Sequence, residues 1–219
     1  GNFIKYIKTH LNFMKILFAG GGTGGHIFPI LAIVREIKRL QTEPSLAGSL
    51  KFFYLGPKEP FAQIYLSQEE IKFKSILAGK IRRYFTPLSF LENIFDIFVK
   101  IPLGILQAFF YIFFLSPDLI FSKGGYGSFP GVISGWFLGV PIFLHESDIT
   151  PGLANKIISR FALVVFVSFP KTEYFPLQKM VLVGNPTRRE ILAGSKEEAK
   201  IRFNLSSQRP LILILGGSQ

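Results

Sequence analysis

The segment Gly20-Gly21-Gly22-Thr23-Gly24-Gly25-His26 places five glycines in six residues and ends on one of the three histidines in this 219-residue chain. A glycine-rich loop lets backbone N–H groups approach a phosphate, and a helix N-terminus just beyond it adds partial positive charge. A tight turn without a ligand needs far fewer glycines, so an anion accounts for the loop better. Gly20, Gly22 and Gly25 also satisfy G-x-G-x-x-G, which raises a nicotinamide or flavin. That chemistry calls for an acidic residue after the second strand to hold the ribose, and the strand here ends Leu55-Gly56-Pro57-Lys58. A P-loop is excluded, because His26 stands where Lys-Ser/Thr would follow the last glycine.

Three other segments carry related chemistry. Lys123-Gly124-Gly125-Tyr126-Gly127-Ser128 is a second glycine loop, and two such loops on one sheet edge suggest a diphosphate. The plainer alternative is a flexible strand-to-helix corner. His145-Glu146-Ser147-Asp148 puts four polar residues at the end of an apolar run, where a base, a donor or a clamp for a sugar hydroxyl would be useful. A His-Glu pair is also a common structural hydrogen bond. Val183-Gly184-Asn185-Pro186-Thr187-Arg188, followed by Arg189, offers guanidinium groups suited to phosphate, or else a solvated basic face.

All of these segments follow short apolar runs: 15–19, 51–55, 71–76, 118–121, 141–144, 163–167, 180–183 and 211–215. Helical periodicity fills most of the gaps, over 29–40 with Pro29 in a first turn, 88–115, 130–138 and 151–161. Continuous apolar strands separated by helices predict an α/β fold with a parallel sheet covered on both faces. In such sheets ligands bind beyond the carboxyl ends of the strands, where these segments lie. Residues 1–13 read as an extension, with Met14 opening the first strand. The polar stretch 194–208 reads as a domain boundary, and residues 206–219 as the start of a second domain.

Composition narrows the classes. A hydrophobic fraction of 48% with 18% charged residues excludes a disordered chain. The absence of cysteine removes disulfides, zinc-thiolate and iron-sulfur sites and thiol nucleophiles. A net charge of +11 together with 25 phenylalanines implies an anionic partner and apolar contact. Nucleic acid is disfavoured, because the positive charge is not interleaved with an aromatic recognition motif.

Residues 19–26, 124–131 (GGYGSFPG), 145–156 (HESDITPGLANK), 183–188 (VGNPTR) and 216–219 (GGSQ) together resemble the ordered signature of the MurG family, the N-acetylglucosaminyltransferases that convert lipid I to lipid II in peptidoglycan synthesis. The resemblance runs over 15–219. It implies a GT-B fold, two Rossmann-like domains facing a cleft, with residues 14–205 as the acceptor-binding domain and the donor-binding domain cut at its first strand. It also implies metal-independent, cofactor-free, inverting transfer from UDP-GlcNAc to the C4 hydroxyl of lipid I. On that resemblance His26 and Glu146 are the base candidates. Thr23, Gly24 and Gly25 would line the cleft near the donor, and Gly21, Gly22, Gly124 and Gly125 would hold the acceptor diphosphate. Tyr126, His145, Asp148, Arg188 and Ser218 would contact substrate. The family usually reads His-Glu-Gln-Asn where this chain has His145-Glu146-Ser147-Asp148, so a carboxylate replaces an amide and would repel a diphosphate.

The family's acceptor is an undecaprenyl lipid, which implies a peripheral position on the cytoplasmic face of the membrane, with other cell-wall synthesis enzymes as partners. Lys72, Lys74, Lys80, Arg82 and Arg83, with no acid between Ile71 and Leu91, lead into the apolar stretch 88–115. This pattern suits an interfacial helix on anionic lipid; a core helix beside solvated lysines is the alternative. Two further functional readings stay open. One is a GT-B transferase for another acceptor; the other is a lipid I- or partner-binding module forming half of a split enzyme, for which the isolated chain would show little transfer.

Overall fold

The computed structural model describes residues 13–21, 23–41, 49–82, 84, 86–170, 173–205, 212 and 214. Strand β1 (Phe13–Gly20) is followed by helix α1 (Gly24–Leu40), β2 (Ser49–Gly56), α2 (Pro60–Gln68) and β3 (Lys72–Ser75). Next come α3 (Pro87–Phe95), a wider π turn (Asp96–Lys100), α4 (Ile101–Leu115) and β4 (Leu119–Gly124). Then follow α5 (Phe129–Phe137), β5 (Ile142–Glu146), α6 (Leu153–Ile158), β6 (Val164–Val167), β7 (Met180–Leu182), α7 (Arg189–Leu192) and α8 (Lys196–Arg202).

The strands form one sheet in the order β3-β2-β1-β4-β5-β6-β7, and every pairing is parallel. The order reverses between β1 and β4, which opens a crevice at their carboxyl ends. Each expected strand from 15 to 183 is present; of the one expected at 211–215 only residues 212 and 214 are described, and Gly22, Arg83, Ser218 and the segments 1–12 and 206–211 lie outside the described residues.

Alternate residues point to opposite faces of a strand, and both faces are buried here. Ile16, Phe18, Phe52, Tyr54, Phe121, Phe143 and Phe166 pack with Ile27, Ile30, Leu31 and Val34 of α1 and with Ala62 and Leu66 of α2. On the opposite face Leu17, Phe53, Leu55, Ile120, Leu144 and Val165 pack with Ala108 and Ile112 of α4, Val132 of α5 and Ile158 of α6. On the α1 face the phenylalanines form a ladder across the strands, Phe52–Phe18 at 6.3 Å, Phe18–Phe121 at 5.8 Å and Phe121–Phe166 at 6.1 Å between ring centroids.

Two helices differ from expectation. Helix α1 begins at Gly24, so Pro29 lies inside it rather than in its first turn. The Thr23 carbonyl accepts from the N–H groups of His26 (3.0 Å) and Ile27 (3.2 Å), which starts the helix early and carries His26 on its first turn. Helix α2 was not read, because its buried stripe is only Ala62 and Leu66, too thin to register as periodicity.

The apolar stretch is helical from Pro87 to Leu115, 29 residues, long and apolar enough by length and composition to cross a membrane. It lies along the domain through Gly104, Ala108 and Ile112, a stripe at i, i+4 spacing. At its wide turn the Ile101 N–H donates to the Asp96 carbonyl, and Pro102, which has no N–H, lies in the first turn of the segment that follows. Leu88, Phe90, Leu91, Phe98, Phe110, Phe113 and Phe114 face outward, Phe114 at 79% exposure, so these side chains are not core. The basic run beside them is partly neutralised: Arg82 pairs with Glu92 at 2.7 Å and with the buried Asp96 at 2.9 Å. Both acids lie just beyond the acid-free stretch of sequence and fold back onto it. Burial pushes the Asp96 carboxyl up, but bonds from Lys100, the Lys80 N–H and Arg82 outweigh it and hold the group below the usual carboxylate range.

Candidate active site

Beyond the carboxyl ends of β1, β4 and β5 lies a cavity of about 390 Å3 lined by Gly25, His26, Lys123, Gly125, Glu146, Ser147, Asp148, Gly152, Ala154, Asn155 and Asn185. His26 is part of its wall. The Thr23 hydroxyl lies 2.8 Å from Nδ1 of the His26 ring. A Cβ on Gly21 would come within 2.9 Å of that ring, and one on Gly125 within 2.7 Å of Nε2. Both glycine loops are therefore shaped around the imidazole. Gly124 and Gly125 hold φ of +85° and +80°, a backbone region open to glycine and strained for other residues. Burial, joined by the charge of Lys123 and partly opposed by Asp148, lowers the His26 pKa to about 4, so the ring is neutral at pH 7.

The loop amides are already used. The Gly21 N–H donates to the Gly124 carbonyl at 3.2 Å, the Gly124 N–H to Ser122 Oγ at 3.1 Å and the Gly125 N–H to Asn155 Oδ1 at 3.0 Å. Each of these three amides, expected from the family resemblance to lie in the loops that hold a diphosphate, has an acceptor within the protein. These amides stitch the loops to one another and to α6. Tyr54 completes the stitching from below, its hydroxyl donating to the Gly21 carbonyl at 2.9 Å. Gly24 and Gly25 form the first turn of α1, whose N–H groups have no partner within the helix.

Glu146 is 4% exposed, and both of its oxygens accept hydrogen bonds, from the Asp148 N–H at 2.9 Å and from Asn155 Nδ2 at 2.7 Å. Its carboxylate ties the turn after β5 to α6 while presenting a flank to the cavity. Lys123, 3% exposed, donates from Nζ to the Ser147 hydroxyl, which in turn donates to Asn185 Oδ1 at 3.1 Å.

Several of the residues expected to contact substrate do not line this cavity. His145 is 1% exposed and its Nε2 meets the Gly184 carbonyl at 3.0 Å, so it clasps the segment after β7 and does not line the cavity. Burial, then Lys123, lowers its pKa to about 4 against the opposing Gly184 bond. Arg188 stacks its guanidinium 4.4 Å from the Phe28 ring on the flank of α1. Tyr126 is half-buried on the other side of the second glycine loop, where burial, Glu59 and Asp96 raise its pKa. Thr23 is exposed and meets the site through His26. The sequence alone does not single out Lys123, Asn155 and Asn185, which line the cavity. A charged residue set between an apolar run and a glycine loop is the one signal for Lys123; Asn155 and Asn185 lie inside motifs without a distinguishing pattern.

Among the described residues no group of three or more His, Asp or Glu side chains could hold a metal ion.

The model of the glycosyltransferase family 28 N-terminal domain matches residues 16–167. A UDP-N-acetylglucosamine–N-acetylmuramyl-(pentapeptide) pyrophosphoryl-undecaprenol N-acetylglucosamine transferase of Bacillus thuringiensis is 42% identical over 205 residues, 93% of this chain and 54% of the relative. Its counterpart from Clostridium botulinum is 40% identical over the same shares. The chain thus spans about half the length of the curated relatives it matches. Among solved structures, MurG of Acinetobacter baumannii aligns with a TM-score of 0.60 at 25% identity, covering 80% of this chain and 46% of that one. A calicheamicin glycosyltransferase, at 11% identity and a TM-score of 0.53, shares the fold. With its parallel sheet, its paired glycine loops and a domain match over most of its length, the chain belongs to glycosyltransferase family 28.

Proposed function

We propose that this chain forms the acceptor side of an enzyme that transfers N-acetylglucosamine from UDP-GlcNAc to the C4 hydroxyl of lipid I. The observation that carries the reading is a neutral imidazole, His26, clasped between two glycine loops at the mouth of a cavity on the sheet's switch point. With Nδ1–H donating to Thr23, Nε2 is the free lone pair that takes the proton from the attacking hydroxyl. The hydroxyl oxygen bonds to the donor's anomeric carbon as that carbon's bond to UDP breaks, which inverts the centre. A base already unprotonated at pH 7 serves such a step, and positioned proton transfer contributes about 10²–10⁴ in rate. Of the two base candidates His26 is preferred, because both oxygens of Glu146 are engaged. The first turn of α1 adds partial positive charge beside the leaving diphosphate.

The exposed apolar helix Pro87–Leu115, with Lys72, Lys74 and Lys80 nearby in the chain, supports docking on the cytoplasmic face of an anionic membrane, where a polyprenyl acceptor resides.

The test is calorimetric titration of this chain with a water-soluble, short-chain lipid I analogue. Saturable binding is expected, weaker for the corresponding polyprenyl diphosphate without the muramyl sugar. No binding, or equal binding of the sugar-free compound, overturns the reading.

A further inference from the structure

All six residues of β4 are buried, yet the fifth is a lysine. A buried charge is costly unless it is paired. Among the described residues the Lys123 Nζ has one hydrogen-bond partner, the Ser147 hydroxyl. Among the described residues no carboxylate oxygen lies within 4.0 Å of it. An ammonium has three N–H donors, so most of its donor capacity is directed elsewhere. Burial lowers the Lys123 pKa, and Glu146 and Asp148 oppose this only at longer range, because the Glu146 oxygens already serve Asp148 and Asn155.

What Lys123 does face is the cavity it lines together with His26, Ser147, Asp148 and Asn185. An incoming anion finds the amides of Gly21, Gly124 and Gly125 occupied. Positive charge at this site therefore comes from the Lys123 ammonium and the first turn of α1. The same lysine resolves the difficulty raised by Asp148, since a cation within the cavity offsets a carboxylate that would otherwise repel a diphosphate.

We propose that Lys123 is the anion-recognising residue of this cavity, its ammonium taking a phosphate oxygen of an organic diphosphate while Ser147 and Asp148 orient it. The choice of a diphosphate rests on the glycosyl-transfer reading; the presence of an anion site does not. The diphosphate could belong to a nucleotide donor or to a polyprenyl acceptor, and the test separates them.

The 219-residue chain, labelled with 15N on its lysine side chains, is titrated with inorganic pyrophosphate, UDP and farnesyl diphosphate while the Lys123 Nζ resonance, assigned with Lys123→Arg, is followed. A saturable shift is expected with pyrophosphate and with one of the two organic compounds; UDP marks the donor and farnesyl diphosphate the acceptor. Lys123→Met should weaken that binding about 10- to 100-fold, the range for a lost hydrogen bond to a charged group, and Lys123→Arg should retain most of it. Unchanged affinity in Lys123→Met overturns the proposal. So does a wild-type resonance that moves with none of the three, a result that stands even if the methionine variant fails to fold. Binding of the lipid I analogue with an unmoved Lys123 resonance sinks this proposal alone. Pyrophosphate binding through Lys123 without lipid I binding sinks the transferase reading alone.

Discussion

Asn155 holds more of the site together than any residue picked out for its chemistry. Its amide oxygen accepts from the Gly125 N–H and its amide nitrogen donates to Glu146, so one buried side chain joins the second glycine loop to the turn after β5. A Cβ at Gly124 would collide with that amide, which explains a glycine there better than phosphate contact does. Removing the amide leaves a backbone donor and a carboxylate oxygen unpaired, and each such loss costs about 1–3 kcal/mol. Asn155→Ala should therefore destabilise the chain by about 2–4 kcal/mol, read as a lower urea midpoint at unchanged slope. A loss below half a kcal/mol would contradict this role. The glycines at 21 and 125 are legible in the sequence as strand-end loops; that they are shaped around an imidazole is not, because His26 reaches them only through the start of α1.

At the scale of elements, the helix Pro87–Leu115 separates two meanings of hydrophobic sequence. Gly104, Ala108 and Ile112 form a narrow buried stripe, while the larger Phe110, Phe113 and Phe114 face away from the domain. Exposed apolar patches of this kind mark contact surfaces. Flotation with liposomes containing anionic lipid should carry the chain upward, neutral liposomes should carry less, and Phe113→Ser with Phe114→Ser should reduce binding severalfold. Equal recovery of the double variant would remove this helix from the interface. Salt dependence should be modest, because Arg82 is already paired with Glu92 and Asp96. The strands were readable from short continuous apolar runs, since a parallel sheet buries both faces. Helix α2 was not, because a nine-residue helix with two buried positions leaves little periodic signal.

For the molecule as a whole, burial of two neutral histidines makes folding depend on pH. The pKa of each falls from an ordinary 6.5 to about 4, chiefly through burial, so the unfolded chain binds protons more readily than the native one between those values. Stability is then complete above about pH 6.5 and is lost as pH falls toward 4. At 1.36 kcal/mol per pH unit the effect is about 3 kcal/mol for each histidine. Urea midpoints at pH 7 and pH 4.5 should differ accordingly, and His145→Gln should flatten the difference by about half. Equal midpoints would show that these rings are not held neutral.

The amino-acid sequence by itself determined the class of fold and the places where chemistry would lie, because apolar runs, helical periods and glycine clusters are local and each carries its own physical signature. Five motifs in order were enough to point to a glycosyltransferase family. Which residues face the cavity was decided only by tertiary structure. His145 and Glu146 are adjacent in sequence, yet strand alternation turns the first toward Gly184 and the second toward the cavity and α6. Lys123 stands out only in the folded sheet, which buries it and leaves its charge, among the described residues, with a single hydroxyl partner. Burial, pairing and register arise between segments far apart in the chain, and no local pattern encodes them.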